Sequence, residues 1–387
     1  MKKKRKVLLL LNSLLSGGAE RHVLSLVDGL DRDMFKLSLA YLKRQENLLP
    51  QVNAERLDYL FCCEARNGFD WAALRKLIRH IRSTRPEVVM CTNQYSMLYG
   101  YLARLLAGYR FELIEVFHTT EMPKNANQWH QRLYHKLFSK CDKVIFVSKN
   151  QQEYWLAQGL RLKQHQYIHN GVDTEHFRDS FSKVEKVAIR NRYGFAESDY
   201  LVGVCAAFRP EKSHLDFLKA LRRVRDLGLP AKALLIGDGP TRLEIEAYIR
   251  QSALEDAVVI TGFQSDVRPL IAICDVMVLT SIAVETFSIA VLESMALGKP
   301  VISTAIGGVP EQITHGATGF LFEKGDVDAL VELLLRLSDK PLREEMGRSA
   351  RATVVERFTL DRMLAAYEDI LMEKDVLTSG ISRACST

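Results

Sequence analysis

Short apolar runs alternate with amphipathic stretches in the first part of the chain. Each run has the length of a buried strand, and the runs are KVLLLLN (6–12), KLSLAYL (36–42), EVVMCTN (87–93), ELIEVFH (112–118) and KVIFVS (143–148). Apolar residues at helical spacing predict helices between them, at 19–30, 70–84 and 97–107. Strands that alternate with helices in this way form a parallel sheet that is covered on both faces.

The alternation pauses at YIHNGVDTEHFRDS (167–180), where an Asn-Gly turn and polar residues indicate a domain boundary. It then restarts, with predicted strands at 200–208, 231–239, 256–263, 274–281, 299–308 and 318–326, and predicted helices at 213–227, 240–253, 265–273, 286–297 and 326–338. A last amphipathic helix is predicted at 359–373. The pattern therefore predicts an α/β chain of two Rossmann-like, doubly wound parallel-sheet domains, residues 1–172 and 173–358, that face an interdomain cleft.

Charge is distributed unevenly between these two halves. The formal net charge is +6, but residues 1–172 hold 27 Lys+Arg against 15 Asp+Glu (+12), and residues 173–387 hold 26 against 32 (−6). Opposite charges suggest that the two domains have different partners. A basic half suits phosphates, acidic polymers or an anionic membrane surface, although a solvated basic face without a partner is the alternative.

Cysteine usage and the apolar runs bear on the location of the protein. The seven cysteines are scattered without a C-x-x-C or zinc-type spacing, which favours a reduced cytoplasmic chain. The apolar run Val7–Leu11 is shorter than a signal-peptide core, so we expect a buried first strand there. No run approaches the length that crosses a bilayer, so membrane contact would be peripheral. The basic amphipathic segment 127–140 is either such a contact or part of the core.

In open parallel sheets, ligands bind beyond the carboxyl ends of the strands, and polar residues in those places are the candidate site. They are Asn12–Gly18, His118, Arg209–Lys212, Gly237–Gly239, Gly262–Phe263 and Glu285. The Gly17-Gly18 pair lets backbone N–H groups approach a phosphate at a helix start, but it lacks the G-x-G-x-x-G spacing of a dinucleotide site. The cations Arg209 and Lys212 suit a pyrophosphate leaving group, or else form a solvated basic helix start.

Two glutamates lie eight positions apart in ETFSIAVLE, Glu285 at the end of a strand and Glu293 in the following helix. Eight helical residues span about 12 Å. That exceeds the roughly 5–10 Å between carboxylates that flank a glycosidic bond. It matches a hexose and a ribose joined by a pyrophosphate, with the N–H groups of Thr286, Phe287 and Ser288 facing the phosphates between them.

The motifs GGAER, HNGVD, RPEK, IGDGP, GF, E-x7-E and GKPVISTAIGGVPE occur in this order along the chain. Together they resemble the retaining glycosyltransferases of the family 4 type, which have the GT-B fold, and the resemblance covers nearly the whole chain. It implies a metal-independent hexosyltransferase without a cofactor. A nucleoside-diphosphate sugar, expected to be a UDP-sugar, would be the donor. A saccharide or lipid-linked saccharide of cell-envelope or polysaccharide synthesis would be the acceptor, and no nucleic acid partner is implied.

The resemblance also implies roles for individual residues. Glu293 would bind the donor ribose, Glu285 and His118 the transferred sugar, and Arg209 with Lys212 the diphosphate. The other implied donor-binding residues are Gly17, Gly18, Gly239, Phe263, Thr286, Phe287 and Ser288. A terminal helix, 359–375, would return to pack on the first domain.

The sequence departs from the family pattern in two places and leaves other functions open. Ala207 stands where many relatives carry a phosphate-binding arginine, and Thr286 and Ser288 replace glycines near the sugar. A histidine such as His118 is often structural, and the D-x-D triplets 31–33 and 326–328 are expected to be structural rather than metal ligands. A sugar-nucleotide epimerase on the same fold and a non-catalytic nucleotide-sugar binding protein are the alternative functions.

Overall fold

The first sheet of the computed structural model has seven parallel strands. The structure describes residues 3–15, 17–66, 69–119, 134–283 and 285–373. The strand order is β3-β2-β1-β4-β5-β6-β7. The strands are β1 Arg5–Leu11, β2 Phe35–Tyr41, β3 Leu57–Cys62, β4 Val88–Thr92, β5 Glu112–Phe117, β6 Lys143–Phe146 and β7 His165–Tyr167.

All five strands predicted in this half are confirmed, but β3 and β7 were missed. Both lie at the edges of the sheet, and all side chains of β7 and half of those of β3 are exposed. β7 lacks the continuous apolar run by which buried parallel strands are recognised, whereas residues 59–62 of β3 form a short run of that kind that was overlooked.

The second sheet has six parallel strands in the order β10-β9-β8-β11-β12-β13, and each predicted strand is confirmed. The two parallel sheets confirm the predicted fold class. The strands are β8 Leu201–Cys205, β9 Lys232–Ile236, β10 Val258–Gly262, β11 Val276–Leu279, β12 Val301–Thr304 and β13 Gly319–Phe322.

Helices cover both sheets. They are α1 Gly18–Gly29, α2 Trp71–Thr84, α3 Gln94–Leu106, α4 Lys149–Ala157, α5 Lys183–Arg192, α6 His214–Asp226, α7 Arg242–Gln251, α8 Arg268–Ile273, α9 Ile289–Ala296, α10 Val309–Gln312, α11 Val327–Arg336, α12 Lys340–Arg357 and α13 Leu360–Met372. The pattern missed α4, α5, α10 and α12. The start of α5 carries a signal that was overlooked, because Ser182 and Glu185 form a capping box there.

Side chains of strand β1 pack in two different cores, because alternate side chains of a strand point to opposite faces of the sheet. Leu8 and Leu10 pack in a core that lies within the first domain. Leu9 and Leu11 belong to a core that continues into the second domain, where Phe287 takes part. The two domains therefore share apolar contacts beside the cleft.

The last helix, α13, lies against the first domain. The chain crosses between domains at Val172, which pairs with the chain on both sides of Thr359. Leu364 of α13 packs over Gly29 of α1, where a Cβ atom would collide with it. Lys143 of β6 also donates to the carbonyl oxygen of Ile370 at 3.1 Å. Among the described residues, no helix combines the length and apolar character needed to cross a bilayer.

Candidate active site

Residues 285–288, part of the segment that joins β11 to α9, touch the first domain directly. Glu285 was predicted at a strand end and eight helical residues before Glu293. That prediction is wrong, because β11 ends at Leu279, six residues earlier, and α9 begins only at Ile289. The Thr286 hydroxyl donates to the carbonyl oxygen of His118 at 2.7 Å, and the Asn170 side-chain amide donates to the carbonyl oxygen of Phe287 at 3.1 Å. The position that a Cβ atom would take on Gly18 is 3.9 Å from Ile289 at the start of α9. The structure thus places His118 and Gly18 of the first domain next to residues 286–289 of the second.

Glu285 is buried and held by two partners of its own domain. Its Oε1 atom contacts the Lys212 ammonium and accepts a hydrogen bond from the Ser281 hydroxyl at 2.7 Å. Its carbonyl oxygen accepts from the Gly308 N–H at 3.0 Å. A Cβ atom on Gly307, whose φ is +55°, would collide with the same carbonyl, so the glycine pair permits this close approach.

Lys212 reaches Glu285 from a short turn after β8. The turn, Pro210–Lys212, precedes Ser213, whose left-handed φ of +44° redirects the chain into α6. The Thr280 hydroxyl, at the end of β11, makes contacts of 3.0 Å with the carbonyl oxygens of Lys212 and Ser213. These contacts fix the turn to the neighbouring strand, so a cation and a carboxylate meet beyond the carboxyl ends of β8 and β11.

Glu293 lies on the second turn of α9 and faces the first domain. It is 5% exposed, and its Oε1 atom is 3.6 Å from Nη1 of Arg21 in α1. Burial raises the pKa of Glu293 to about 7, and the Arg21 charge opposes that rise. The carboxyl group is therefore poised between its charged and neutral forms near neutral pH.

A cavity of about 360 Å³ opens between the domains beside Glu293. Arg21, His22, Asn170 and Arg268 share its lining with Glu293. No hydrogen bond of good geometry reaches the Oδ1 atom of Asn170 or the ring nitrogens of His22 in the described part of the chain, although the Asn170 side chain lies close enough to His22 to raise the pKa of its ring. Buried polar atoms of this kind normally have a partner, so the cleft offers hydrogen-bonding capacity to a polar ligand or to water.

His118 follows β5 and is tied down through its backbone. Its N–H donates to Oδ1 of Asn93 at 3.0 Å, and its carbonyl oxygen accepts from Thr286. Its ring stands edge-on to His22, with 4.9 Å between centroids. Burial lowers the pKa of His118 well below its usual value and lowers that of His22 to about 4. Both rings are therefore neutral near pH 7, and Nε2 of His118 is without a partner among the described residues.

Arg209 extends from the second domain toward the glycine turn of the first. Its side chain is about half exposed, and its Nη1 atom is 4.0 Å from Glu211. Burial raises the pKa of Glu20, while a backbone hydrogen bond and the Arg209 charge oppose that rise. The Glu20 carboxylate folds back over Gly17, where a Cβ atom would collide with it. Glu20 is thus an acidic neighbour of the predicted phosphate site that the sequence reasoning missed.

Ser288 does not present its N–H as predicted. That N–H donates to Oε1 of Gln312 at 3.0 Å, and the Gln312 amide nitrogen donates back to the Ser288 carbonyl at 2.8 Å. The prediction that the Ser288 N–H faces the phosphates is therefore wrong for this conformation, because a side chain of α10 occupies it. Ser288 instead caps α9 through its hydroxyl. Phe287 is buried and stacks on His169, with 4.6 Å between ring centroids.

Gly239 and Phe263 follow β9 and β10 at the same edge of the second sheet. Gly239 has a φ of +157°, and a Cβ atom there would collide with the carbonyl oxygen of Phe208. Only glycine fits this combination of backbone angle and contact. The Phe263 ring is 55% exposed and presents an apolar face to solvent. Their roles toward a donor stay predictions.

The aspartate triplets have structural partners. Asp326 caps α11 by accepting from the Ala329 N–H at 2.9 Å, and Asp328 pairs with Arg223. Asp31 accepts from the N–H of Asp33 at 2.7 Å. These contacts agree with the structural roles expected of both triplets, and the absence of a bound metal stays a prediction.

The structure describes only residues 134–140 of the basic segment 127–140. Residues 127–133 lie outside the described residues. Leu137 and Phe138 are buried in the core of the first domain. The membrane alternative is therefore wrong for these two side chains, because they pack inward.

The matches to known families cover most of the chain. Residues 16–176 match the family described as Glycosyltransferase Family 4, and residues 185–353 match the one described as Glycosyl transferases group 1. The N-acetyl-alpha-D-glucosaminyl L-malate synthase of Bacillus anthracis is 30% identical over 273 residues, which cover 70% of each chain. The UDP-Gal:alpha-D-GlcNAc-diphosphoundecaprenol alpha-1,3-galactosyltransferase of Escherichia coli is 22% identical over 320 residues, or 79% of this chain and 81% of the relative.

The crystal structure of Anabaena Alr3699/HepE in complex with UDP-glucose has the same fold. Its TM-score is 0.83 at 24% identity, and the match covers 95% of this chain and 99% of that one. The two facing parallel-sheet domains are those of a GT-B glycosyltransferase. The chain belongs to the family 4 type of glycosyltransferases, which confirms the resemblance found in the sequence.

Proposed function

We propose that the protein is a retaining, metal-independent glycosyltransferase that moves a hexosyl or N-acetylhexosaminyl group from a UDP-sugar to a saccharide or lipid-linked saccharide. It needs no cofactor beyond the nucleotide-sugar co-substrate and serves cell-envelope or polysaccharide synthesis. The observation that carries the proposal is the placement of two buried carboxylates. Glu285 is held by Lys212 and Ser281, and Glu293 lines the cleft beside Arg21.

In the proposed reaction, the bond between the sugar C1 and the donor phosphate oxygen breaks while a bond from C1 to the acceptor oxygen forms on the same face. The acceptor proton passes to the leaving phosphate oxygen, so no protein base is required at the reaction centre. Arg209 and Lys212 stabilise the negative charge that develops on the diphosphate. Glu285 orients the sugar, and the neutral His118 ring forms a hydrogen bond with the sugar.

The names of the relatives support a UDP-sugar donor. The Escherichia coli relative is named for UDP-Gal, and the Anabaena structure holds UDP-glucose. The Bacillus anthracis relative is named for an N-acetylglucosaminyl group, which agrees with a hexosyl or N-acetylhexosaminyl donor. The diphosphoundecaprenol in the name of the Escherichia coli relative supports a lipid-linked acceptor.

We also propose that the protein works in the cytoplasm at the inner face of the membrane, and the surface of helix α2 supports the membrane contact. Trp71 at its start is 60% exposed, and its ring stands edge-on to exposed Phe69 at 4.9 Å. Arg75 and Arg79 follow Trp71 at four-residue intervals on the same exposed face, and the helix contains no acidic residue. An aromatic side chain beside a row of cations suits an anionic lipid surface.

A thermal-shift screen with UDP-, GDP- and ADP-sugars tests the donor proposal, because a ligand that binds only the folded state raises its melting temperature. UDP-sugars are expected to give the largest shift. The best donor is then incubated alone. Slow hydrolysis to free sugar and UDP agrees with a transferase, whereas an epimerised sugar supports the epimerase. Binding without turnover across a wide acceptor panel supports the non-catalytic alternative.

A further inference from the structure

Glu311 of α10 reaches across the domain interface to a helix of the first domain. Its Oε2 atom accepts from the Lys149 N–H at 3.0 Å, and its Oε1 atom accepts from the Asn150 N–H at 2.7 Å. Oε2 also lies 2.7 Å from Nε2 of His169. One carboxylate of the second domain thus contacts three groups of the first.

These contacts complete the amino terminus of α4. The first N–H groups of a helix lack partners within the helix and attract negative charge. Ser148 satisfies one of them, because its hydroxyl accepts from the Gln151 N–H at 3.2 Å. Those of Lys149 and Asn150 bond to Glu311 instead. Burial raises the pKa of Glu311, but the hydrogen bonds from His169, Asn150 and Lys149 outweigh it and lower the pKa overall.

The residues beside Glu311 and its partner His169 contact the segment of the candidate site that contains Phe287 and Ser288. Next to Glu311, Gln312 holds the backbone of Ser288. His169 stacks on Phe287. A Cβ atom on Gly308 would lie 2.8 Å from that of Ser148, so the domains approach each other closely where α10 begins. The Glu311 contact is therefore continuous with the segment that carries Glu285.

We propose that Glu311 is a positioning residue that holds the two domains in the closed arrangement required for sugar transfer. The inference rests on the proposed function. Most of the groups expected to hold the donor, Arg209, Lys212, Glu285 and Glu293, belong to the second domain, so the nucleotide keeps most of its contacts there when the domains open. His118, expected to contact the sugar, and the Gly17-Gly18 turn, expected to approach the diphosphate, belong to the first domain and are in place only when the domains are closed.

The test is Glu311→Gln, which keeps the side-chain shape. One carboxylate oxygen becomes an NH2 group that must face an N–H donor, so at least one interdomain bond is lost. Glu185→Gln is the matched control, because Glu185 accepts from the Ser182 N–H at 2.8 Å within a single domain. Small-angle scattering of the free proteins, UDP affinity and kcat at saturating donor are measured for both variants.

For Glu311→Gln we expect a larger radius of gyration, UDP affinity within about threefold of the parent and kcat lowered about tenfold or more. Glu311→Asp, which keeps the charge, should recover part of kcat, and Glu185→Gln should match the parent. An unchanged radius of gyration, or a loss of kcat equal to that of Glu185→Gln, would overturn the proposal. A parent chain that transfers no sugar would overturn the proposed function instead, and scattering would still decide whether Glu311 closes the cleft.

Discussion

Arg21 and Glu293 face each other across the interdomain cleft, with 3.6 Å between Nη1 and Oε1. One belongs to the first domain and the other to the helix that carries the proposed ribose site. A ribose bound to Glu293 would therefore lie beside Arg21. Because the pKa of Glu293 is about 7, the charge of its carboxyl group changes near neutral pH, and we expect nucleotide binding to change with it.

Nucleotide affinity should rise with pH through about 7. The pKa of Glu293 is about 7, and the ionised carboxylate accepts stronger hydrogen bonds from ribose hydroxyls than the protonated acid does. Calorimetry with UDP between pH 6 and pH 8 should show a gain of up to about tenfold. Glu293→Gln should bind more weakly and lose most of the pH dependence. An equally steep rise in the variant would contradict this role.

Stability should fall on acidification below about pH 6.5, in part through His22. Its pKa is about 4 in the folded protein, against an ordinary value of 6.5. The unfolded chain therefore binds more protons between these values, so this contribution is present above pH 6.5 and is lost as pH falls through about 4. We expect the free energy of unfolding, measured with urea from pH 4 to pH 8, to change less with pH in His22→Gln than in the parent. The difference should reach up to about 3 kcal/mol across the range.

Glu293 changes the free energy of unfolding with pH in the opposite direction to His22. The pH dependence must therefore be compared between variants. Its folded pKa of about 7 lies above the ordinary value of 4.5. The folded protein binds more protons between those values, so stability falls as pH rises through that window. Glu293→Gln should therefore stabilise the fold above pH 7 and have little effect below pH 4.5. Parallel curves for the parent and both variants would show that neither group carries the dependence.

Gly239→Ala should destabilise the second domain. The residue has a φ of +157°, and a Cβ atom would collide with the Phe208 carbonyl oxygen. Gly228 also has a positive φ, +93°, but no atom lies within 4 Å of its Cβ position. Gly228→Ala is thus the control for backbone strain alone. In urea unfolding we expect a loss of about 2–4 kcal/mol for Gly239→Ala and about 1 kcal/mol for Gly228→Ala; equal losses would exclude the steric contribution.

Helix α2 should bind anionic membranes. Reversal of both Arg75 and Arg79 to Glu should weaken co-sedimentation with phosphatidylglycerol vesicles at least tenfold, because each surface cation contributes about 1 kcal/mol. Neutral vesicles should bind the parent weakly. Arg192→Glu with Lys324→Glu, two exposed cations of the second domain, is the charge-matched control. If that control loses as much binding, net charge rather than this face is responsible.

Most of the architecture could be read from the sequence because buried parallel strands are continuous apolar runs. All six strands of the second sheet were found for that reason. The exposed edge strand β7 has no such run, and the short apolar run at 59–62 of β3 was overlooked. The amphipathic helices α1, α6 and α13 were found by their spacing. The largely polar helices α4 and α5 bury too few apolar side chains to show a helical spacing of apolar residues.

The sequence located the candidate site but not its contacts. Strand ends and the E-x7-E spacing pointed to Glu285 and Glu293, because local order in the chain determines where a strand stops. The partner of the Ser288 N–H, Gln312, lies 24 positions away, and the Glu311 contact with Asn150 spans 161. Such pairings depend on how two domains meet, and neither propensity nor periodicity contains that information.

In the proposed complex, Glu285 and Glu293 hold opposite ends of one UDP-sugar. The most direct test is calorimetry of UDP and of the preferred UDP-sugar with the parent, Glu285→Gln and Glu293→Gln. Glu293→Gln should weaken both ligands by a similar factor, whereas Glu285→Gln should leave UDP unchanged and remove the extra affinity contributed by the sugar. Equal weakening of both ligands by Glu285→Gln, or unchanged UDP binding by Glu293→Gln, would contradict the account.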